Sequence, residues 1–328
     1  TRRVARNVAG CAAGDARNRR PRYMSQAVQP AVIAIVGPTA SGKSALALRV
    51  AQAVDAEIVS TDSMQAYRGM NIGTAKPSEV DQRLVHHHMI DVWPVAQAVS
   101  VVEFRDMARQ AIDDVRERGK TALVVGGSGL YVRAVLEKLD FPGTDPNARA
   151  RWETRLSEVG APALHDELHA IDPDAAQAIE RNNGRRIVRA LEVIELTGEP
   201  FVARLPQPED VYPVHRFGVH IDRERLDTRI EDRVDAMWKD GFVDEVRRLE
   251  AGGFRDAPTA AAALGYGPVL DFLAGEYSEE QARQRTVDDT RKFARRQQRW
   301  FLRDERIEWR DHDDADFADA IAGCVARP

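Results

Sequence analysis

The feature that most constrains this chain is an apolar run that ends in a glycine-rich loop and continues into a helical pattern. Ala31–Val36 reads AVIAIV, which is typical of a strand buried in a parallel sheet. Gly37–Ser44 follows with the pattern G-x-x-x-x-G-K-S, and apolar residues then recur at helical spacing over Ser44–Val54. In such a strand–loop–helix unit, backbone N–H groups and the helix N-terminus converge on phosphate oxygens. The sequence therefore predicts a phosphate-binding loop (P-loop).

Two side chains add to the chemistry of this backbone. Lys43 supplies a positive charge for phosphate oxygens, and the Ser44 hydroxyl is placed to hold Mg²⁺, the cofactor that we expect. The predicted phosphate-binding residues of the loop are Gly37, Pro38, Thr39, Ala40, Ser41, Gly42, Lys43 and Ser44.

Strands alternate with helices along the first part of the chain. Short buried strands are predicted at Glu57–Ser60 and Thr121–Val125, with a helix at Val99–Arg118 between them. This order predicts an α/β fold, a P-loop NTPase-like parallel sheet with helices on both faces. Ligands of such sheets bind at the carboxyl ends of the strands, which is where Gly37 and Asp62 lie.

The strand pattern is interrupted in the middle of the chain. Over residues 142–198 the pattern is helical only, so we expect a smaller helical insertion domain. Residues 24–141 and 199–328 would form the core domain. Three core elements are predicted after the insertion: a strand at Phe217–Ile221, one long helix at Arg223–Ala251 and a basic helix at Ser278–Leu302.

Composition bounds where the protein works. Residues 1–23 are rich in arginine and lack apolar periodicity, so we predict a disordered leader and Met24 as the natural start. Cys11 and Cys324 have neither a disulfide nor a metal-ligand spacing, which suits a reducing cytoplasm. No apolar run approaches the roughly 18 to 20 residues that span a bilayer, so no membrane association is expected. We expect a monomer.

The chain lacks the second acidic motif that ATP-driven motors place near the P-loop. Such motors end an apolar strand in Asp or Glu, which holds Mg²⁺ and polarises water. Thr121–Val125 ends in a Gly-Gly-Ser sequence instead, and the strand that ends in Asp222 is remote from the loop in sequence. We therefore expect the P-loop to hold a leaving group in a transfer reaction.

Asp62 follows the second predicted strand and is the candidate acid–base residue. A carboxylate at this edge of the sheet can accept a proton from a nucleophile that attacks the group held by the P-loop. The alternative is that Asp62 caps a turn, because Thr-Asp-Ser is good capping chemistry. Position alone leaves both interpretations open.

Two further groups of residues have alternative interpretations. Arg229 and Arg233 lie four residues apart on one helical face, where they either pair with neighbouring acids or close over a diphosphate. Residues 86–88 are three consecutive histidines, but side chains of adjacent residues do not converge on one ion, so we predict a loop without a metal.

A basic and aromatic run near the C-terminus points to nucleic acid. The net charge is −5, yet Thr290–Arg303 interleaves arginine and lysine with Phe293, Trp300 and Phe301. Arginines contact phosphates and aromatic rings stack on unpaired bases. The alternative is an amphipathic surface helix whose aromatic residues lie in the core.

Taken in order, these residues resemble one family, the bacterial-type tRNA dimethylallyltransferases, also called isopentenyl-diphosphate:tRNA isopentenyltransferases. The resemblance runs from residue 31 to about residue 310, and the string at 60–77 is its most specific part. The matching stretches are GPTASGKS (37–44), STDSMQAYRGMNIGTAKP (60–77), VVGGSGLYVRAVL (124–136), RRIVRALEV (185–193), LGY (264–266) and TRKFARRQQRWF (290–301).

The resemblance implies transfer of a dimethylallyl group from dimethylallyl diphosphate to N6 of the adenosine 3′ of a tRNA anticodon, with release of diphosphate. Asp62 then corresponds to the catalytic base, and Thr39 to a second catalytic residue that holds the diphosphate. The insertion corresponds to the domain that clasps the anticodon stem-loop. The implied tRNA contacts are Asp62, Ser63, Met64, Gln65, Ser128, Arg149, Arg185, Arg186, Ile187, Val188, Arg189, Tyr266, Arg295, Arg296, Gln297, Arg299, Trp300 and Arg303.

Two other function classes share part of this pattern. A small-molecule kinase also has a P-loop, an aspartate after the second strand and an arginine-rich lid, but it has no use for a basic aromatic helix. A non-catalytic RNA-binding module would leave the P-loop unexplained. The string at 60–77 and the C-terminal basic helix favour the transferase over both.

Overall fold

The computed structural model describes residues 31–201 and 206–325. Within them, strands form one parallel sheet in the spatial order β3-β2-β4-β1-β5-β6. The strands are β1 (Val32–Val36), β2 (Ala56–Ser60), β3 (His87–His88), β4 (Thr121–Gly126), β5 (Val214–His220) and β6 (Ile307–Asp311). The predicted parallel α/β architecture is confirmed.

Helices connect and cover these strands in the described part of the chain. They are α1 (Lys43–Ala53), α2 (Glu79–Leu84), α3 (Val101–Glu117), α4 (Gly129–Leu136), α5 (Pro146–Ile171), α6 (Pro173–Ala178), α7 (Gly184–Thr197), α8 (Arg223–Lys239), α9 (Phe242–Glu250), α10 (Tyr266–Leu273), α11 (Glu279–Phe301) and α12 (Phe317–Val325). None of these helices is long and apolar enough to cross a membrane.

Strand β1 lies inside the sheet and contributes to an apolar cluster on each face. Ile33 and Ile35 pack with Leu46 of α1 and Phe317 of α12. The alternate residues of β1 belong to the other cluster, which includes Phe104 of α3. Burial on both faces explains why this strand is apolar throughout rather than alternating.

The helices α5, α6 and α7 pack around an apolar cluster of their own. Leu164 and Leu168 of α5 contribute to it, together with Ile187 and Leu191 of α7. Helix α5 changes direction at Gly160, whose φ of 78° is not helical. The helical character of the insertion is therefore as predicted, while its exact limits as a domain stay a prediction.

Several element predictions need correction. The single helix expected over Arg223–Ala251 is two helices, because Gly241 adopts φ 95° between α8 and α9 and ends the first of them. Residues 86–88 are not all loop, since His87–His88 pairs with β2 as an edge strand. Sequence patterns did not predict α2, α10, β6 or α12. The predicted leader and the Met24 start lie outside the described residues.

Candidate functional site

The P-loop connects β1 to α1 at the carboxyl end of the sheet. Gly42 is the N-cap of α1 and adopts φ 102°, a conformation that favours glycine. A Cβ atom at Gly37 would lie 3.0 Å from the Val219 carbonyl oxygen, so a side chain there would press against β5. The Nζ of Lys43 donates a hydrogen bond to the Pro38 carbonyl at 2.6 Å. The loop thus presents a helix N-terminus and an ammonium group at the end of β1.

Helix α8 brings two arginines onto this loop. The Nε of Arg229 donates to the Ala40 carbonyl at 2.8 Å, and Nη1 of Arg233 donates to the Thr39 hydroxyl at 3.2 Å. Both guanidinium groups therefore contact the P-loop, across about 190 residues of sequence. The pair thus lies at the P-loop, and its closure over a bound phosphate group stays a prediction.

Asp62 lies just beyond β2 and is held in a tight turn. Its backbone N–H donates to the Ser60 hydroxyl at 3.2 Å, and its Oδ1 accepts the Met64 N–H at 3.0 Å. The Ser60 hydroxyl in turn donates to the Gln65 amide oxygen at 3.0 Å. The turn-capping role and the catalytic role are thus compatible, because one carboxylate oxygen accepts the Met64 N–H.

One cavity of about 340 Å³ joins the P-loop, the turn at Asp62 and the arginines of α8. Three cationic side chains and one carboxylate line it, namely Lys43, Arg229, Arg233 and Asp62. Its volume falls in the range of small-molecule sites. The excess of cations predicts that the cavity binds an anion.

Burial shifts the pKa values of the acidic and basic groups of this cavity in opposite directions. It lowers the pKa of Lys43 to about 7, with a further decrease from Arg233 that Asp62 partly offsets. It raises the pKa of Asp62, which the Met64 N–H and the two cations partly offset. The pKa of Arg233 is also lowered by burial. Each shift arises because the buried group loses the hydration that stabilises its charged form. The negative charge of a bound polyanion would favour the charged form of the cations again.

Helix α11 closes the cavity from the opposite side. The Oε1 of Gln297 accepts the Thr39 backbone N–H at 2.9 Å, so this residue is fixed to the P-loop. Phe293 lines the cavity, one helical turn before Gln297. Trp300 lies on Gly129, where a Cβ atom would come within 1.9 Å of its Nε1. The aromatic residues of α11 were predicted either to stack on bases or to lie in the core. Neither interpretation describes all of them, because Phe293 lines the cavity and Trp300 is 38% exposed.

The predicted tRNA residues of the insertion divide into exposed and buried groups. Arg185 and Arg186 are exposed at the start of α7. Arg149 pairs with the buried Glu192 at 2.7 Å, and Arg189 pairs with the same carboxylate at 3.0 Å. These two arginines order the insertion, and both remain partly accessible.

Three predicted tRNA contacts are wrong as side-chain contacts. Ile187 and Val188 are 0% and 3% exposed and lie in the apolar cluster of the insertion. Tyr266 is 0% exposed, and its hydroxyl donates to Glu245 at 2.8 Å in the core. Helical periodicity explains the first two, since residues that follow Arg185 and Arg186 turn inward.

The other predicted tRNA residues follow Asp62 or lie on α4 and at the end of α11. Ser63, Met64 and Gln65 follow Asp62, and Ser128 is the N-cap of α4. On α11, Arg295 is partly buried against Asp227 at 3.4 Å. The remaining arginines, Arg296, Arg299 and Arg303, are exposed.

Sequence reasoning missed the residues that form the cavity wall after β2. Thr74, Ala75 and Pro77 line the cavity, and His87 of β3 does so as well. The first three belong to the string IGTAKP and have no charge and no periodic pattern that would predict a place in the site. His87 carried no sequence signal beyond the run of histidines.

Two places in the described part of the chain carry side chains that can bind a metal ion. The Ser44 hydroxyl lines the cavity at the P-loop, which fits Mg²⁺, an ion that takes few protein ligands beside phosphate oxygens. Glu57, His86 and His88 lie together at the other end of β2. Glu57 already accepts hydrogen bonds from both η nitrogens of Arg118, and the Nε2–H of His88 donates to the same carboxylate at 2.7 Å. That carboxylate is therefore saturated by an ion pair.

The family model for IPP transferase matches residues 65–304 of this chain. Among relatives of this chain, the tRNA dimethylallyltransferase of Salinispora arenicola is 56% identical over 280 residues, which are 85% of this chain and 82% of that protein. The enzyme of the same name from Thermobifida fusca is 55% identical over 299 residues, covering 90% of this chain and 94% of that protein.

Solved structures give the same answer. The tRNA isopentenylpyrophosphate transferase of Bacillus halodurans superposes with a TM-score of 0.67 at 38% identity, covering 91% of this chain and 96% of that one. That of Staphylococcus epidermidis gives a TM-score of 0.68 at 33% identity, with coverages of 91% and 99%. The match covers the P-loop sheet and the insertion alike, and the chain belongs to the IPP transferase family.

Proposed function

We propose that this protein transfers the dimethylallyl group of dimethylallyl diphosphate to N6 of the adenosine 3′ of the anticodon in tRNA, and releases diphosphate. The observation that carries the proposal is the single cavity between the P-loop and α11, in which three cations face one carboxylate. Relatives of more than half identity over most of their length are tRNA dimethylallyltransferases. They do not favour the kinase alternative.

The donor diphosphate would bind to the P-loop. Its oxygens would accept hydrogen bonds from the backbone N–H groups at the start of α1. They would also form ion pairs with Lys43, Arg229 and Arg233. Ser44 would hold Mg²⁺, which when bound neutralises part of the charge on the leaving diphosphate. The arginines of α8 already contact the loop, so little reorganisation is needed on binding.

The acceptor adenine would leave the anticodon-loop stack and enter between Gln297 and Asp62. Its amine is a weak nucleophile, because its lone pair is delocalised into the ring. Asp62 would accept the N6 proton while the bond from N6 to C1 of the donor forms and the bond from C1 to the diphosphate oxygen breaks. A raised pKa makes this carboxylate a better base than an exposed aspartate.

The anticodon stem-loop would lie against two basic surfaces. Arg185 and Arg186 are exposed on α7 of the insertion, and Arg296, Arg299 and Arg303 are exposed at the end of α11. Arg186, Trp300 and Arg303 line one further cavity of about 710 Å³. Guanidinium groups bind phosphates, and an aromatic ring can stack on an unpaired base. All these groups belong to one chain, so we expect a monomer acting on tRNA in the cytoplasm.

The test is incubation of the protein with labelled dimethylallyl diphosphate, Mg²⁺ and unmodified tRNA. We expect label in the tRNA and stoichiometric release of diphosphate. A tRNA that carries guanosine at the acceptor position is the matched control and should stay unlabelled, because guanine lacks the N6 amine. Labelled ATP with small acceptors tests the kinase alternative, and phosphoryl transfer without prenylation would overturn the proposal.

A further inference from the structure

A buried carboxylate on α9 holds the loop that forms one wall of the active cavity. Glu245 is 2% exposed, and its Oε2 accepts the backbone N–H groups of Asn71 at 2.9 Å and Ile72 at 2.8 Å. Its Oε1 accepts the Gly73 N–H at 3.1 Å and the Tyr266 hydroxyl at 2.8 Å. The Glu245 carboxylate thus accepts four hydrogen bonds, three of them from one stretch of backbone. Among the described residues, no cation forms an ion pair with it.

Only glycine fits at residue 73, in the middle of this contact. A Cβ atom at Gly73 would lie 2.3 Å from the ring of Phe242 and 2.5 Å from that of Tyr266. These two rings pack edge to face, with centroids 5.0 Å apart. The backbone at residues 71–73 is therefore pressed between aromatic rings and the Glu245 carboxylate.

The same loop is hydrogen-bonded to Gln65. Thr74 and Ala75 line the cavity, and their carbonyl oxygens accept the two hydrogen bonds of Gln65 Nε2 at 3.1 and 3.2 Å. Ala75 adopts φ 46°, a left-handed conformation that costs energy in a residue other than glycine and persists only where its surroundings impose it. The hydrogen bonds within residues 71–76 and to Gln65 supply that constraint.

From Gln65 the contacts lead to the candidate base. Gln65 Oε1 accepts the Ser60 hydroxyl hydrogen at 3.0 Å, and the Ser60 oxygen accepts the Asp62 backbone N–H at 3.2 Å. We infer that Glu245 is a positioning residue, which fixes Asp62 and the adjacent cavity wall through the loop at residues 71–75 and Gln65. Tyr266, which the resemblance suggested as an RNA contact, acts on this view by orienting Glu245. The inference rests on the proposed transfer reaction, since Asp62 is the group that it positions.

The principal test is Glu245→Gln, which keeps the shape of the side chain. The Gln Nε2 carries hydrogens where the carboxylate accepts backbone N–H groups, so the loop must move. We expect the single-turnover rate at saturating substrates to fall about 10- to 100-fold, as displacement of a catalytic group by about 1 Å does. Affinity for tRNA should change little, because its basic contacts lie on α7 and α11.

Asp244→Asn is the matched control, because it removes the same charge from the neighbouring, exposed residue of α9. Its rate should equal that of the wild type. Thermal unfolding of all variants gives the folded fraction to which rates are normalised. If Glu245→Gln proves too unstable to assay, Tyr266→Phe removes one of the four hydrogen bonds and keeps the ring, and it should show a smaller loss in the same direction.

The pH–rate profile separates positioning from general structural damage. Burial raises the pKa of Asp62, so a displaced wall that admits water should lower that pKa and move the acidic limb of the profile to lower pH. A variant that is merely less stable keeps the limb in place. In addition, Glu245→Gln and Gln65→Met should be strongly non-additive, because both interrupt one chain of contacts.

The outcomes distinguish this inference from the proposed function. A wild-type protein that does not prenylate tRNA refutes the proposed function. Normal prenylation by the wild type, together with equal rates and pH profiles for Glu245→Gln and Asp244→Asn, refutes only the positioning role. Additive losses in the double variant would also overturn it.

Discussion

At the scale of single residues, the cavity sets one carboxylate against a group of desolvated cations. Burial raises the pKa of Asp62 and lowers that of Lys43, and both shifts favour the neutral form of the side chain. Such opposed shifts are common at sites where charge must change during a reaction. The predictions at this scale therefore concern protons.

Replacement of Asp62 by Asn should reduce turnover by a factor on the order of 10² to 10⁴, as the loss of a general base does. Affinity for either substrate should change much less, because proton transfer matters in the transition state. Single-turnover assays at saturating tRNA and donor, with separate binding titrations, measure the two effects. Near-normal turnover would leave Asp62 only its role in the turn with Met64.

The same substitution should stabilise the fold. The pKa of Asp62 is higher in the folded than in the unfolded chain, so the folded state binds this proton more tightly and loses stability as pH rises above the ordinary carboxyl pKa of about 4. Asp62→Asn should therefore raise the urea midpoint at neutral pH and have little effect near pH ~4. An equal effect at both values would contradict an ionised, buried carboxylate.

Donor binding should be coupled to protonation of Lys43. With a pKa of about 7, part of this lysine is neutral in the unliganded protein at and above neutral pH, and a diphosphate beside it raises that pKa again. Binding at about one pH unit above 7 should take up close to one proton, detected as a dependence of the calorimetric heat on buffer ionisation. Lys43→Arg stays charged and should show less uptake. Identical heats in both proteins would contradict the prediction.

At the scale of elements, α11 serves the cavity with one face and solvent with another. Gln297 and Phe293 face the P-loop, whereas Arg296 and Arg299 are exposed. Arg295 and Arg296 are adjacent and both are predicted tRNA contacts, so a double substitution of the two would be one test of RNA binding. Since Arg295 is partly buried against Asp227, that pair would also perturb packing between α8 and α11.

The better pair is Arg296→Gln with Arg299→Gln. Each lost phosphate contact lowers the slope of log affinity against log salt by about 0.7 to 0.9, so the double variant should lose roughly one to two units of slope for tRNA. Donor affinity should stay unchanged. Arg247→Gln with Arg248→Gln on α9 is the matched control. A collapse of donor binding in the α11 variant would place this face in the active site instead of at the RNA.

At the scale of the whole molecule, a partly buried ion network connects the C-terminal strand to the middle of the chain. Arg306, just before β6, binds Glu137 at the end of α4 at 2.5 Å and Asp210 at 3.1 Å. Arg216 of β5 also binds Asp210. Since Glu137 is 1% exposed, this network fixes β5 and β6 against α4.

Arg306→Met should destabilise the protein by about 1 to 3 kcal/mol, between the values for exposed and for fully buried pairs, because Arg306 is 29% exposed and Arg133 still binds Glu137. Urea unfolding measures the loss. Arg83→Met, in an exposed pair with Glu79, is the control and should change stability by less than about 1 kcal/mol. Equal effects of the two substitutions would show that the network adds nothing.

Local patterns along the chain were enough to predict the elements around the phosphate-binding loop. The apolar run into Gly37–Ser44 can form only a buried strand, a phosphate loop and a helix, and Asp62 had to lie at the same edge because parallel strands share their carboxyl ends. Exposed basic positions such as Arg185 and Arg296 could likewise be read from composition. Local pattern failed at Gly241, where φ 95° splits a helix that its spacing makes continuous.

Contacts between residues far apart in the chain could not be predicted from local patterns. Arg229 and Arg233 could pair with acids or with phosphates by their spacing, and only the packing of α8 on the P-loop brings both to Thr39 and Ala40. Tyr266 could be exposed or buried, and its burial against Glu245 depends on α9, α10 and the loop after β2 coming together. Such contacts arise from how helices pack on a sheet, whose energy belongs to pairs of residues far apart in the chain and has no periodic signal within it.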